Sequence, residues 1–351
     1  MRIDLLPRNT ARYKANLHTH THLSDGHKTP AEIKRDYQAH GYSVIAFTDH
    51  DKYYDHHDLT DERFIALNGF ELEYYVTPWR QKTCHLCFIA KKPDNPALGW
   101  SEAEPPIFIR ELPANALNPE QGGELYRVTC PGRKYNAEYI NADIRRAKEL
   151  GFFVTYNHPT WSLEHWPDYS RYRGMDAMEV VNYGCVAAGY DDDNGHALDD
   201  LLMLNNRVRC IASDDNHNDF PDEDPRSDSY GGYTVLAAQE LSYGAVIRAL
   251  EQGHFYSCGK VNAAAGECPQ IVNLWLEDGK VFVECDGAQN IRLIKNCRPF
   301  SIRIAEAGSQ LTGAEFDVGA CDWFRLELTG LNGCKAFTNA YFMDELVKES
   351  D

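Results

Sequence analysis

Histidines and carboxylates recur in this sequence where short apolar runs end. The densest run is Asn16-Leu17-His18-Thr19-His20-Thr21-His22-Leu23-Ser24-Asp25-Gly26. Thr48-Asp49-His50-Asp51, Asn157-His158-Pro159 and Ser213-Asp214-Asp215-Asn216-His217 repeat the pattern. A strand followed by ligands, repeated along a chain, is how a barrel assembles one polymetal site from distant segments. Imidazole and carboxylate without an evident thiolate suit manganese, iron or zinc rather than magnesium or calcium, which prefer all-oxygen shells. A carboxylate such as Glu71 can bridge two metals, and bridged metals supply hydroxide at neutral pH and clamp an anionic oxygen. The chemistry expected is hydrolysis.

The candidates differ in how well they sit. His18 and His20 are two apart, so they face one side of an extended segment. Asp25 lies in the Ser24-Asp25-Gly26 turn and is preferred to His22. His50 closes the run at 43–48, and Glu71 falls just past 64–69. His158 follows 152–156, and Asp215 and His217 follow 208–212. His85 begins its run, 85–90, instead of ending it. Asp49, Asp51 and Asp214 are candidates to orient a ligand imidazole, Asp51 being the most ordinary of them. Glu179 and Asn182 border another strand near the expected mouth, Glu179 as a further orienting candidate or as a strand brace. Arg133 and Lys134 are candidates to contact a phosphate.

The elements that must carry these residues alternate strand and helix. Strands are expected at 15–20, 43–48, 64–69, 85–90, 152–156, 176–181 and 208–212. Between the first two, Thr29-Pro30-Ala31-Glu32 has the N-cap, N1 proline and N3 glutamate of a helix start, and Gly41 marks its end. Further helices are expected at 139–150, 194–205 and 242–252. The order predicts an α/β barrel. Residues 91–134, rich in Pro, Gly, Asn and Glu, interrupt it as a lid, a substrate loop or a surface excursion. From 264 the pattern turns to hairpins, with Asp278-Gly279 between two strand-like runs. The expected domains are a catalytic barrel over 1–263 and a small β-sandwich over 264–351.

Composition bounds the function. The 351 residues are 43% hydrophobic and 25% charged, with a net charge of −18. Such a surface disfavours nucleic acid, whose binding needs Lys and Arg against phosphates. No apolar stretch is long enough for a membrane span, and the N-terminus lacks a signal-peptide core, so the expected location is cytoplasmic. The 11 cysteines read as reduced thiols, and Cys84-His85-Leu86-Cys87 has no second pair to make a zinc knuckle.

Taken together, these motifs resemble the PHP family, named for polymerase and histidinol phosphatase. Leu17-His18-Thr19-His20-Thr21 with Ser24-Asp25-Gly26 is similar to its first motif and Phe47-Thr48-Asp49-His50 to its second. Gly69-Phe70-Glu71 with His85 is similar to the third, and His158-Pro159 and Asp215-Asn216-His217 to the last two. The similarity runs over about 13–260. It implies a distorted seven-stranded (β/α) TIM-like barrel with two to three divalent transition-metal ions. By this resemblance one ion takes His18, His20, Glu71 and Asp215, a second Glu71, His85 and His158, and a third Asp25, His50 and His217. Only Asp215 has the Asp-x-His spacing. Glu71, Asp215 and His217 are the residues expected to carry catalysis. The expected activity is hydrolysis of a small phosphorylated metabolite through a metal-activated hydroxide. A nuclease or phosphodiesterase acting on nucleic acid, and a non-catalytic metal-stabilised binding protein, are the alternatives.

Overall fold

The computed structural model describes residues 2–76, 82–95, 125–127 and 133–348. Most of the insert expected at 91–134, namely 96–124 and 128–132, lies outside the described residues. The chain begins with β1 (Arg2–Asp4), β2 (Ala11–Asn16), α1 (Pro30–Ala39), β3 (Tyr42–Phe47), β4 (Lys52–Tyr54), β5 (Ile65–Tyr75), β6 (Thr83–Ala90) and β7 (Leu125–Arg127). It continues with α2 (Ala137–Glu149), β8 (Phe152–Asn157), α3 (Trp166–Tyr169), β9 (Ala177–Asn182), α4 (Tyr183–Ala187), α5 (Gly195–Met203), β10 (Arg209–Ser213), β11 (Gly232–Ala238), α6 (Tyr243–Gln252) and β12 (Phe255–Gly259).

Local chemistry sets these boundaries. Thr29 and Glu32 close a reciprocal capping box at the start of α1, Pro30 stands at its first position, and Gly41 follows its end at φ +79°. Ser242 caps α6, and Gly253 ends it in the left-handed region.

Seven strands lie side by side in chain order: β2, β3, β5, β6, β8, β9 and β10. They form an arc that departs from the expected barrel in two ways. First, β6 is antiparallel to both β5 and β8, while the other neighbours are parallel. β5 pairs with β3 through Asn68 and then turns to β6 from Gly69 onward. It therefore runs past Glu71, which lies within the strand and not beyond its end.

Second, the sheet does not close, because β10 makes no ladder with β2. Side chains satisfy the open edge of β10 instead: Ser257 Oγ donates to the Cys210 carbonyl, Thr234 Oγ1 to that of Ala212, and Asn339 Oδ1 accepts from Cys210 N. Only at the top are the two ends stitched, where Asp215 N donates to the His18 carbonyl and His20 N to that of Asn216. The architecture is mixed α/β with one large open sheet.

The remaining elements are β13 (Gln270–Glu277), β14 (Lys280–Lys295), β15 (Arg298–Ile304), β16 (Leu311–Asp317), β17 (Trp323–Gly330), β18 (Lys335–Thr338), β19 (Tyr341–Phe342) and α7 (Met343–Lys348). Asp278 and Gly279 take φ +49° and +75°, the geometry of a tight hairpin turn. β14 changes partners around Gly287, pairing first with β13 and β16, then with β15 and β17. Val281, Val283, Ile291, Leu293, Phe316, Leu326 and Leu328 bury together there, and the same apolar cluster includes Ile33 and Tyr37 of α1. β1 pairs with β13 and β12 with β18, so the C-terminal strands are continuous with the arc. Among the described residues, no helix is long and apolar enough to cross a membrane.

Candidate metal centre

Glu71 is the hub. Its Oε1 lies 3.2 Å from His18 Nε2, 3.1 Å from His85 Nδ1 and 3.5 Å from His158 Nε2. Its Oε2 lies 3.3 Å from His20 Nε2 and 3.1 Å from His50 Nδ1. Asp215 Oδ1 faces His18 Nε2 at 3.1 Å and His20 Nε2 at 3.0 Å. Asp25, on the cavity rim, is 3.5 Å from His20 Nδ1, 3.7 Å from His50 Nε2 and 3.6 Å from His217 Nε2. The structure thus brings together all nine residues that the sequence nominated as ligands.

Each element delivers its residue for a physical reason. β6 runs antiparallel to its neighbours, so its first residues, not its last, reach the mouth, which is why His85 begins its apolar run. Gly26 lets the first loop fold back on His20, since a Cβ there would sit 2.6 Å from the His20 carbonyl oxygen. That fold presents Asp25, whereas His22 is not part of the cluster. His158 at φ +27° and Asp215 at φ +53° hold backbone conformations that side chains rarely adopt. Such strain persists where surrounding bonds over-determine it. Here His158 N donates to Glu179 at 2.9 Å, and Asp215 N donates to the His18 carbonyl at 3.0 Å.

Of the aspartates nominated to orient ligands, none of the three acts on a ring. Asp49 accepts from Thr21 and Ser24 and braces the first loop. Asp51 pairs with Arg133 at 2.5 Å. Asp214 is filled by the amides of Tyr230, Gly231 and Gly232 and by the Tyr37 hydroxyl. The orienting role belongs to Glu179, fully buried on β9. Its Oε1 is 2.8 Å from His18 Nδ1, which turns Nε2 toward Glu71 and Asp215. Asn157, at the end of β8, donates to Glu71 Oε1 at 3.0 Å. Asn157 is obscure in sequence because a polar residue inside an apolar strand reads as a satisfied core group; for Glu179 that reading competes with the orienting one. Arg133 also donates to the Glu73 carbonyl, Lys134 is exposed, and neither lines the cavity.

The donor set fits divalent transition metals. Two donors each about 2.1 Å from one ion stand roughly 3.0–3.4 Å apart, close to the 3.0–3.6 Å spacing around Glu71 and Asp215. Glu71 Oε2 and Asp215 Oδ1 are buried acceptors without a properly directed hydrogen bond, and His85 Nε2 is likewise unsatisfied. Burying such groups costs energy unless a cation or a donor completes them. Donor atoms fall into compact groups: His20, Asp25, His50 and His217; His18, His158 and Asp215; His50, Glu71 and His85; and His18, Glu71 and Cys87. The partition differs from the one the family resemblance implies: His20 falls with Asp25, His158 with His18 and Asp215, His50 also with Glu71 and His85, and Cys87 joins His18 and Glu71.

The electrostatics agree. Burial alone would depress the His20 imidazolium, but Asp215 and Glu71 outweigh it and raise its pKa to about 10. His85, buried yet beside Glu71 and Glu73, is raised to about 9. His50 is pushed down to about 3 by burial and by the like charge of His20. Burial would raise Asp25, yet His217, His20 and His50 hold it well below the usual range. The cluster keeps a concentration of positive charge next to its carboxylates, and a metal ion would take that place by displacing protons.

The cluster opens into a cavity of about 320 Å³ whose walls include Trp161, Gly184, Cys185 and Ala188. The loop carrying His158 and Trp161 is anchored by Glu164, whose carboxylate accepts from Tyr135 at 2.7 Å, Tyr156 at 2.6 Å and Tyr172.

No family model and no curated protein sequence matches the chain. Solved structures do resemble it. A two-domain protein from Bacteroides vulgatus, containing a predicted PHP-like metal-dependent phosphoesterase, aligns over 95% of this chain and 97% of its own, at 16% identity and TM-score 0.47. A proposed metal-dependent phosphoesterase from Bifidobacterium adolescentis covers 58% of this chain and 87% of its own, at 14% identity and TM-score 0.35. An amidohydrolase from Chromobacterium violaceum, with bound sulfate and no metal, covers the same shares at 16% identity and TM-score 0.34. With every TM-score below 0.5, these likenesses add nothing to what the side chains themselves argue.

Proposed function

We propose that the chain is a metal-dependent phosphoesterase acting on a small phosphomonoester. The observation that carries this reading is Glu71, whose two oxygens face two different sets of imidazoles from inside a buried cluster. In this reading His18, His20 and Asp215, then His85 and His158, then Asp25, His50 and His217 hold two to three ions, with Glu71 shared. Such ions, when bound, would lower the pKa of a water and neutralise charge on the phosphoryl oxygens.

The chain's own residues do the rest. Glu71 fixes the spacing of the two imidazole sets, and Asn157 fixes Glu71. Glu179 holds a proton on His18 Nδ1 and so keeps Nε2 free to bind. His217 Nδ1 lies 3.0 Å from the Asp215 carbonyl, which directs Nε2 to the cavity edge near Asp25, where a leaving alcohol would depart. Trp161 walls one side. The cavity volume suits a small molecule. No Lys or Arg lines it among the described residues, so the anion's charge would be met by the ions.

The test uses the purified full chain with a panel of small phosphomonoesters. Chelation should abolish phosphate release, and Mn²⁺, Fe²⁺ or Zn²⁺ should restore it better than Mg²⁺. Single-stranded DNA should not be cut. A folded, metal-loaded chain that releases no phosphate from any ester ends the reading.

A further inference from the structure

Cys87 is fully buried in β6, yet among the described residues it belongs to none of the three apolar clusters. The strand's alternation explains why. Cys84, Leu86, Phe88 and Ala90 pack into one core, while His85 and Cys87 share the other face. Cys87 is also the cross-strand partner of Glu71 in the β5–β6 ladder. Its sulfur lies within 4.8 Å of a ligating nitrogen of His18 and an oxygen of Glu71.

The surroundings treat that sulfur as an acceptor. Asn157 Nδ2 is 3.0 Å from Cys87 Sγ and 3.0 Å from Glu71 Oε1. Because Glu71 can only accept when ionised, the NH₂ end of Asn157 must face this side, and Thr155 Oγ1 donates to its oxygen at 2.8 Å. One amide thus aims its two N–H groups at a carboxylate and a sulfur, an arrangement that holds ligands in place around a metal.

We propose that Cys87 is a sulfur ligand in this centre, sharing one cation with His18 and Glu71, and that it biases the site toward thiophilic ions such as zinc. This rests on the metal-site part of the functional reading. Without a metal, burial and then Glu71 keep the thiol neutral, at a pKa of about 11, against the opposing pull of His18. A divalent ion ionises a coordinating thiol, so binding releases that proton.

X-ray absorption on the zinc-loaded full chain tests this without any variant. A sulfur shell at about 2.3 Å should accompany the nitrogen and oxygen shell at about 2.0–2.1 Å. In Cys87→Ser, or Cys87→Ala if the serine variant does not fold, the sulfur shell should vanish while metal remains. Zinc affinity should then fall at least about tenfold relative to manganese. A shell of nitrogen and oxygen alone in the wild type overturns the proposal, as does a sulfur shell that survives loss of Cys87. Failure of the phosphoesterase reading shows separately, as zinc uptake without phosphate release.

Discussion

Replacing Glu71 by glutamine keeps the side chain's size and removes its charge. The consequence follows from position. Five imidazole nitrogens lie 3.1–3.5 Å from its two oxygens, divided three to one oxygen and two to the other. An amide presents one oxygen and one NH₂, so one set of imidazoles loses its shared ligand outright. Bound metal should drop by at least one ion per chain in elemental analysis. At saturating metal, kcat on a phosphomonoester should fall roughly a hundredfold or more, about 3 kcal/mol of lost transition-state stabilisation. The circular dichroism spectrum should not change, because the apolar cores around Leu72, Phe88 and Val154 and around Val44, Leu67 and Ile211 do not include this side chain. Glu73→Gln is the internal control. Its carboxylate is 25% exposed and 3.9 Å from His85 Nε2, so its loss should cost less than about tenfold. Glu71 is not the shared ligand if Glu73→Gln abolishes activity and Glu71→Gln does not, or if neither lowers metal content.

Glu179→Gln should weaken metal affinity by about 10–100-fold, measured by competition with a chelating dye, while kcat at saturating metal largely recovers. An unchanged affinity would make Glu179 a strand brace only. Glu164 supplies a pH-dependent prediction: burial raises its pKa from 4.5 to about 7 against the pull of three tyrosine hydroxyls. A raised folded-state pKa gives stability that is complete below the unfolded value and is lost as pH rises through about 7. The span corresponds to about 3 kcal/mol. Thermal unfolding should therefore favour Glu164→Gln over wild type progressively between pH 5 and pH 8, and a constant difference would refute this. Residues 1–263 expressed alone should still take up metal, since every nominated ligand precedes 264. They should aggregate more readily, because β12 loses its ladder with β18 and the core around Tyr37 loses its C-terminal side. Loss of metal uptake on truncation would place part of the site's support beyond 264.

The residues of the candidate centre are legible in the sequence because imidazoles and carboxylates at or beside the ends of apolar runs have no core role to play. α1 and the Asp278-Gly279 hairpin are legible for a similar reason, as their caps and turn residues act locally. What eludes sequence is non-local. Nothing in residues 83–90 announces that β6 runs antiparallel, although His85 at the start of its run is the trace that direction leaves. The open edge of β10 depends on Ser257, Thr234 and Asn339, which arrive from distant segments. β1, β11, β12 and β16 are short or irregular in their alternation and pass unnoticed until pairing makes them strands. Asn157 and Cys87 sit within apolar strands, where a lone polar or sulfur-bearing residue reads as part of the core.

In the proposed function Glu71 holds metal ions through both of its oxygens. Anomalous scattering from crystals of the full chain grown with Mn²⁺ or Zn²⁺ tests it directly. At least two peaks are expected, one about 2.0–2.2 Å from each Glu71 oxygen, with His20 and Asp215 completing the one at Oε2 and His85 the one at Oε1. Well-diffracting crystals with metal present and no peak beside Glu71, or a single peak on one oxygen alone, would contradict it.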